Sequence, residues 1–144
     1  MTEFLSNMKL RKQLLRASNL AGLAFSNTQT AAAHSISYPL TLHYGIPHGI
    51  ASSMTLIPLL HINKLSIIES LKKICSDNSI TYDELIIKIE SIPKSVIENR
   101  LSEWGIKQSE IKDIANESFT KGRMDNNIVD LNKSDVENIL KQIY

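Results

Sequence analysis

The chain has 144 residues, 42% of them hydrophobic and 22% charged, enough to bury one core and ordinary for a globular protein. A net charge of +1 gives no whole-chain signal for nucleic acid, and the single cysteine, Cys75, excludes an internal disulfide. The most apolar window, 46–62, is broken by Pro47, His48, Gly49, Pro58 and His61 and is not a membrane span, and the N-terminus does not read as a signal peptide, so the cytoplasm is the expected compartment.

The pattern is helical nearly throughout. Residues 4–25 bring Phe4, Met8, Ala17, Ala21 and Ala24 near one side of a first helix, with Asn27 and Thr28 as its expected stop. Gly22 costs about 1 kcal/mol against alanine inside a helix, which predicts a packing reason for it. A second helix is expected from about Thr30 to Tyr38 or beyond, with Pro39 bending or restarting it. Pro47 suits the first turn of a third helix that carries His48 and ends near Pro58. Leu65, Ile68, Leu71 and Cys75 mark a helix ending in the turn 76–79. Thr81 with Glu84 is a capping box opening a helix through Leu85 and Ile89 that stops at Pro93. Ile97, Leu101 and Trp104 have helical spacing, with Gly105 as the stop. Ile111, Ile114, Ala115, Ser118 and Phe119 form another stripe closed by Gly122, and 123–133 reads as loop. Ser134 with Glu137 predicts a second capping box, heading a last helix with Val136, Ile139 and Leu140. No alternating strand pattern occurs, so the expected fold is all-α, about seven helices in one domain, residues 1–144.

Charge is distributed unevenly. Four bases and one acid fall in residues 1–62, and 18–62 contains no Asp, Glu, Lys or Arg at all. A neutral stretch of that length with all four histidines reads as buried or as the wall of a site. His34 and His48 lie fourteen residues apart within it. A straight helix would hold them on the order of 20 Å apart, at ~1.5 Å per residue, too far for one metal ion. The breaks at Pro39 and at Gly45-Ile46-Pro47 let the chain fold back so that both rings can face one point. Spacing alone favours two structural histidines, because no compact metal motif is present. His43 reads as a pocket-edge or surface residue, Cys75 as a small core residue, and Trp104 as core.

The pieces Ala21-Gly22-Leu23-Ala24-Phe25-Ser26-Asn27, Ala33-His34, Tyr38-Pro39-Leu40 and Pro47-His48-Gly49, with the fourteen-residue interval, resemble the signature region of the iron-containing (group III) alcohol dehydrogenases. The likeness is strong over 17–60, the metal-site half, and weaker over the helical remainder, 63–144. It implies the dehydroquinate synthase-like helical C-terminal domain of such an enzyme, without the N-terminal α/β domain that binds the dinucleotide. By the same resemblance, His34 and His48 correspond to two metal-binding histidines. Phe25 corresponds to an aromatic beside the nicotinamide. Tyr38 falls where many members have a further histidine near substrate and nicotinamide, a departure that argues against a proton-transfer role there. No residue of this chain is assigned as catalytic. The string from His34 to Thr41 is similar to the branch that includes phosphonoacetaldehyde reductases.

The implied cofactors are Fe²⁺ or Zn²⁺ and NAD or NADP, and the implied substrate is a small alcohol or aldehyde. The implied partner is a separate nucleotide-binding chain or a second copy, with no nucleic acid and no membrane. The remaining two ligands, an Asp and a His, and the glycine-rich pyrophosphate loop belong to the N-terminal domain, and this sequence offers neither Gly-x-Gly-x-x-Gly nor an Asp-x-x-x-His before His34. Two other readings stand beside this one: an inert truncated fragment, and a helical interaction module using a half-cleft of Ala31–Ala33, Ile36, Leu40 and Leu42.

Overall fold

The computed structural model describes residues 6–94 and 96–144, so Phe4 of the expected first stripe lies outside the described residues. The chain divides into two compact units at the step from Thr30 to Ala31.

The first unit is dominated by α1, Met8–Thr28. Asn7 caps it, its Oδ1 accepting from the backbone N–H of Lys9 at 3.1 Å and of Leu10 at 3.2 Å. The helix runs through Asn27 and Thr28, where a stop was expected. Ser26 and Asn27 turn their side chains back onto the Leu23 carbonyl, which accepts from both at 2.8 Å, and so they stay helical instead of capping a new element. Gln29 ends it with φ 63°. No residue of α1 is buried, and a Cβ placed on Gly22 would meet nothing within 4 Å. The packing reason expected for Gly22 is therefore not found among the described residues.

The second unit is built around α2, Ala32–Tyr44. This helix continues through Pro39, correcting the expected restart. Proline deletes a single N–H, and Pro39 is buried along the same side as Ser35, Ile36 and Leu40, so packing offsets the lost bond. Gly45 closes the helix in the left-handed region at φ 67°, donating to the Thr41 carbonyl. The chain then reverses, and Pro47 stands just before α3, His48–Met54. A separate helix, α4, Leu56–Asn63, follows after Thr55. The expected end near Pro58 is thus wrong: Pro58 sits in the first turn of α4, where its missing N–H has no partner to lose.

Helix α5 covers Ile68–Asp77, leaving Leu65 outside it and 84% exposed. Helix α6, Tyr82–Ser91, opens with the predicted Thr81–Glu84 capping box. The Ile97–Trp104 stripe forms only a 3₁₀ turn, Leu101–Trp104, because Glu103 Oε2 accepts from the backbone N–H of Asn99 and of Arg100 and so begins the turn at Leu101. Helix α7 spans Ile111–Glu117, stopping short of Ser118 and Phe119. Helix α8 spans Lys133–Gln142. Its cap is Asn132 with Asp135, not Ser134 with Glu137: the Ser134 N–H is itself a donor to Asn132, at 2.8 Å, and Glu137 pairs with Lys141.

All eight α-helices of the described residues are joined by turns, with no strand among them. Ile36 and Leu40 from α2, Ile46 from the reversal, Leu101, Ile111, and Ile139 with Leu140 from α8 are essentially fully buried. At roughly 1.5–3 kcal/mol for each such side chain, this cluster supplies the main term holding α2 against α7 and α8. Ile36 and Leu40 therefore belong to the core and not to an open half-cleft, while Leu42 is exposed.

Candidate metal centre

The reversal at 45–47 brings the start of α3 beside the middle of α2. The ring centres of His34 and His48 stand 5.2 Å apart, inclined at 56°. An ion about 2.1 Å from one nitrogen of each ring lies about 3.2 Å from each ring centre, and a tetrahedral angle at that ion separates the centres by about 5 Å. The observed separation fits two imidazoles sharing one ion. Among the described residues no group of three or more His, Cys, Asp or Glu side chains is placed to hold a metal, so this unit offers the pair and no third ligand.

Ser37 sets the proton on His48. Its Oγ lies 2.7 Å from the His34 carbonyl oxygen and 3.1 Å from His48 Nδ1. A carbonyl can only accept, so the serine hydroxyl donates to it, and Oγ is left to accept from an Nδ1–H on His48. The lone pair of His48 then resides on Nε2, available to a ligand. His34 is held below the ordinary histidine pKa, first by burial, then by the neighbouring His48 and then by the positive charge of Arg123. All three causes keep that imidazole neutral, the form that can bind a metal.

Tyr38 stacks on His48 with ring centres 6.0 Å apart and 14° between planes, and the Arg123 guanidinium carbon lies 5.1 Å from the Tyr38 ring centre. The structure thus gathers His34, Tyr38, His48 and Arg123. Phe25 is on α1, in the other unit, and is exposed. His43 lies elsewhere on the surface, its Nε2 2.6 Å from Glu117 Oε2, and His61 faces the Tyr82 hydroxyl at 3.0 Å. A hollow of about 430 Å³ is lined by Phe119, Lys121, Met124 and Asp130 and includes neither His34 nor His48.

Sequence reasoning missed Ser37 and Arg123. Ser37 follows His34 by three residues, a spacing from which a helical serine reaches back to a carbonyl, and that signal was legible. Arg123 had no local signal, because a tertiary contact places it.

The family model described as "Fe-containing alcohol dehydrogenase family, C-terminal" matches residues 1–144. The chain is 30% identical to the 4-hydroxybutyrate dehydrogenase of Clostridium kluyveri over 139 residues, covering 88% of this chain and 36% of that enzyme. It is 28% identical to the NADPH-dependent butanol dehydrogenase of Clostridium saccharobutylicum, covering 93% and 38% respectively. Over 53 residues it is 47% identical to the phosphonoacetaldehyde reductase of Streptomyces viridochromogenes, covering 37% of this chain and 13% of that protein. The crystal structure of a 1,3-propanediol oxidoreductase shares the fold, with a TM-score of 0.84 at 22% identity over 96% of this chain and 39% of that one. The chain therefore spans little more than a third of the length of the full-length relatives it matches.

Proposed function

The chain belongs to the iron-containing alcohol dehydrogenase family, and on that premise we propose that it is the helical half of an oxidoreductase interconverting an alcohol and an aldehyde with NAD or NADP. The observation that carries this reading is the pair of imidazoles 5.2 Å apart, with the Ser37 hydroxyl oxygen 3.1 Å from His48 Nδ1. His34 and His48 would hold Fe²⁺ or Zn²⁺, which when bound supplies Lewis-acid polarisation of the carbonyl oxygen.

The chain's own residues then have distinct tasks. Ser37 keeps the Nε2 lone pair of His48 directed outward. The Tyr38 ring, stacked on His48, limits rotation of that imidazole and forms one wall for the substrate. Phe25 would lie along the nicotinamide, as the resemblance implies. Tyr38, a phenol where many members have an imidazole, shapes the pocket without relaying a proton. The Asp and His ligands and the pyrophosphate loop, which residues 1–144 do not offer, would come from a nucleotide-binding domain. Small aldehydes and alcohols are the proposed substrates.

Zn²⁺ titration of the chain tests this directly, comparing wild type with His34→Ala and His48→Ala. Weak binding abolished by either substitution is expected, and tight binding insensitive to both refutes the assignment. The exposed apolar residues of α1 favour a second reading, a non-catalytic interaction module. Self-association unchanged when both histidines are alanine, together with no turnover alongside any nucleotide-binding domain, would select it.

A further inference from the structure

Arg123 reaches the histidines along a path fixed by a buried serine. Ser35 on α2 donates to the Ser118 carbonyl and accepts the Thr120 N–H at 3.1 Å. The Thr120 carbonyl in turn accepts the N–H of Arg123 at 3.2 Å and of Met124 at 3.1 Å. The guanidinium carbon ends 5.1 Å from the centre of the Tyr38 ring, the same ring that stacks on His48. Among the described residues no carboxylate lies within ion-pair distance of Arg123, and its Nε is closed off from solvent with no hydrogen-bond acceptor. Residues 18–62, which supply His34, Tyr38 and His48, contain no Asp or Glu to meet it. A partly buried cation with an unsatisfied donor is costly, and a metal ion on the histidines would add repulsion. An anion engaging the planar guanidinium fork removes both costs.

Resting on the reading of the histidines given above, we infer that Arg123 binds an anionic group of the substrate, which is an aldehyde or alcohol bearing a carboxylate, phosphonate or phosphate. Guanidinium and imidazole both lie against one tyrosine ring, so the anionic group stands only a few bonds from the reacting carbon. Ser35 is the positioning residue for this contact.

The test is an NMR titration of the full, metal-free chain with methylphosphonate, with neutral acetamide as control and ADP as probe for a dinucleotide's phosphates. Saturable shifts of the Tyr38 and His48 signals with methylphosphonate and none with acetamide are expected. Arg123→Gln should weaken the binding at least about tenfold, the loss of one charge-assisted contact, with Arg123→Lys between the two. Amide dispersion of each variant checks that it is folded, and Arg123→Lys keeps the test open should Arg123→Gln unfold. Equal shifts in wild type and Arg123→Gln, or no shift in wild type, overturn the inference and leave Arg123 a stacking partner of Tyr38. Saturation by ADP in preference to methylphosphonate overturns it in favour of the cofactor. A parallel Zn²⁺ titration separates the two readings: retained anion binding without Zn²⁺ binding sinks the metal pair alone.

Discussion

Replacing Ser37 with alanine removes one oxygen atom and isolates the proton on His48 as the only feature that should change. Ser37 is fully buried, but alanine fits in its space, and the carbonyl of His34 lies within α2, where the main chain supplies its own donor. The His48 Nδ1–H, by contrast, loses the acceptor that stands 3.1 Å away. His48 is exposed, so without that acceptor nothing holds the proton at Nδ1 and the ring is free to carry it on Nε2. The proton then occupies the position an ion needs. Loss of such an outer hydrogen bond typically weakens metal binding about 10–100-fold, or roughly 1.4–2.7 kcal/mol. Zn²⁺ titrations of wild type and Ser37→Ala measure the affinity, and ¹⁵N shifts of the His48 ring in the metal-free chain report which nitrogen carries the proton. The expected result is a move from Nδ1–H toward Nε2–H with the affinity loss given above. An unchanged tautomer with unchanged affinity would refute the reasoning, since a purely structural serine would alter melting temperature and neither of these.

Four further outcomes are expected. In the metal-free chain His34 should titrate below the ordinary value of 6.5, and His48→Ala should move its midpoint upward by removing one of the causes of the depression, as read by NMR. Because the folded value is lowered, His34 supports the native state above its unfolded pKa and withdraws that support as pH falls through the folded one, so His34→Gln should flatten this part of the pH dependence of urea unfolding. Asn132→Ala should cost about 1 kcal/mol by uncapping α8, while Ser134→Ala should fall within about 0.5 kcal/mol of wild type, in the same assay. Gly22→Ala should raise helicity by circular dichroism and stabilise α1 by up to about 1 kcal/mol, because nothing opposes a Cβ there. Leu40→Ala should cost about 2–5 kcal/mol, visible as a large drop in melting temperature.

The parts of the fold written in local chemistry were legible. The Thr81–Glu84 box requires only two side chains and two backbone groups within one turn, and the structure forms both of its bonds. The Ser134 cap failed although its pattern was as good, because Asn132 starts the helix two residues earlier, accepting from the N–H of Ser134 and Asp135 and leaving Ser134 inside it. The Ile97–Trp104 spacing failed because an apolar stripe records which side faces the core and not whether Glu103 will tie the backbone into a tighter turn. Pro39 misled for a related reason: a helix loses one bond at proline, but only the assembled core shows that burial of the surrounding residues compensates. The resemblance led to two histidines that the fold does bring to adjacent rings. Arg123 arrives through a hydrogen bond that Ser35 accepts from the Thr120 N–H, 85 positions away, and no window along the sequence contains that event.

The same distinction bears on why a site would be divided between two parts. The neutral stretch of 45 residues carries both imidazoles, yet it withholds the carboxylate that would make an ion bind tightly. Two imidazoles alone give weak binding. Any further ligand from a nucleotide-binding partner adds affinity only in the assembled state, so by linkage the ion must also strengthen the assembly, by about 2.7 kcal/mol when present at 100 times its dissociation constant. Docking of this chain to such a partner should therefore tighten on adding Zn²⁺ or Fe²⁺ and loosen with a chelator, and His34→Ala should abolish that metal dependence while leaving the metal-free docking unchanged. Isothermal titration with and without chelator reads both. Docking that ignores the ion would mean that the two imidazoles do not share one with the partner, however well their separation fits.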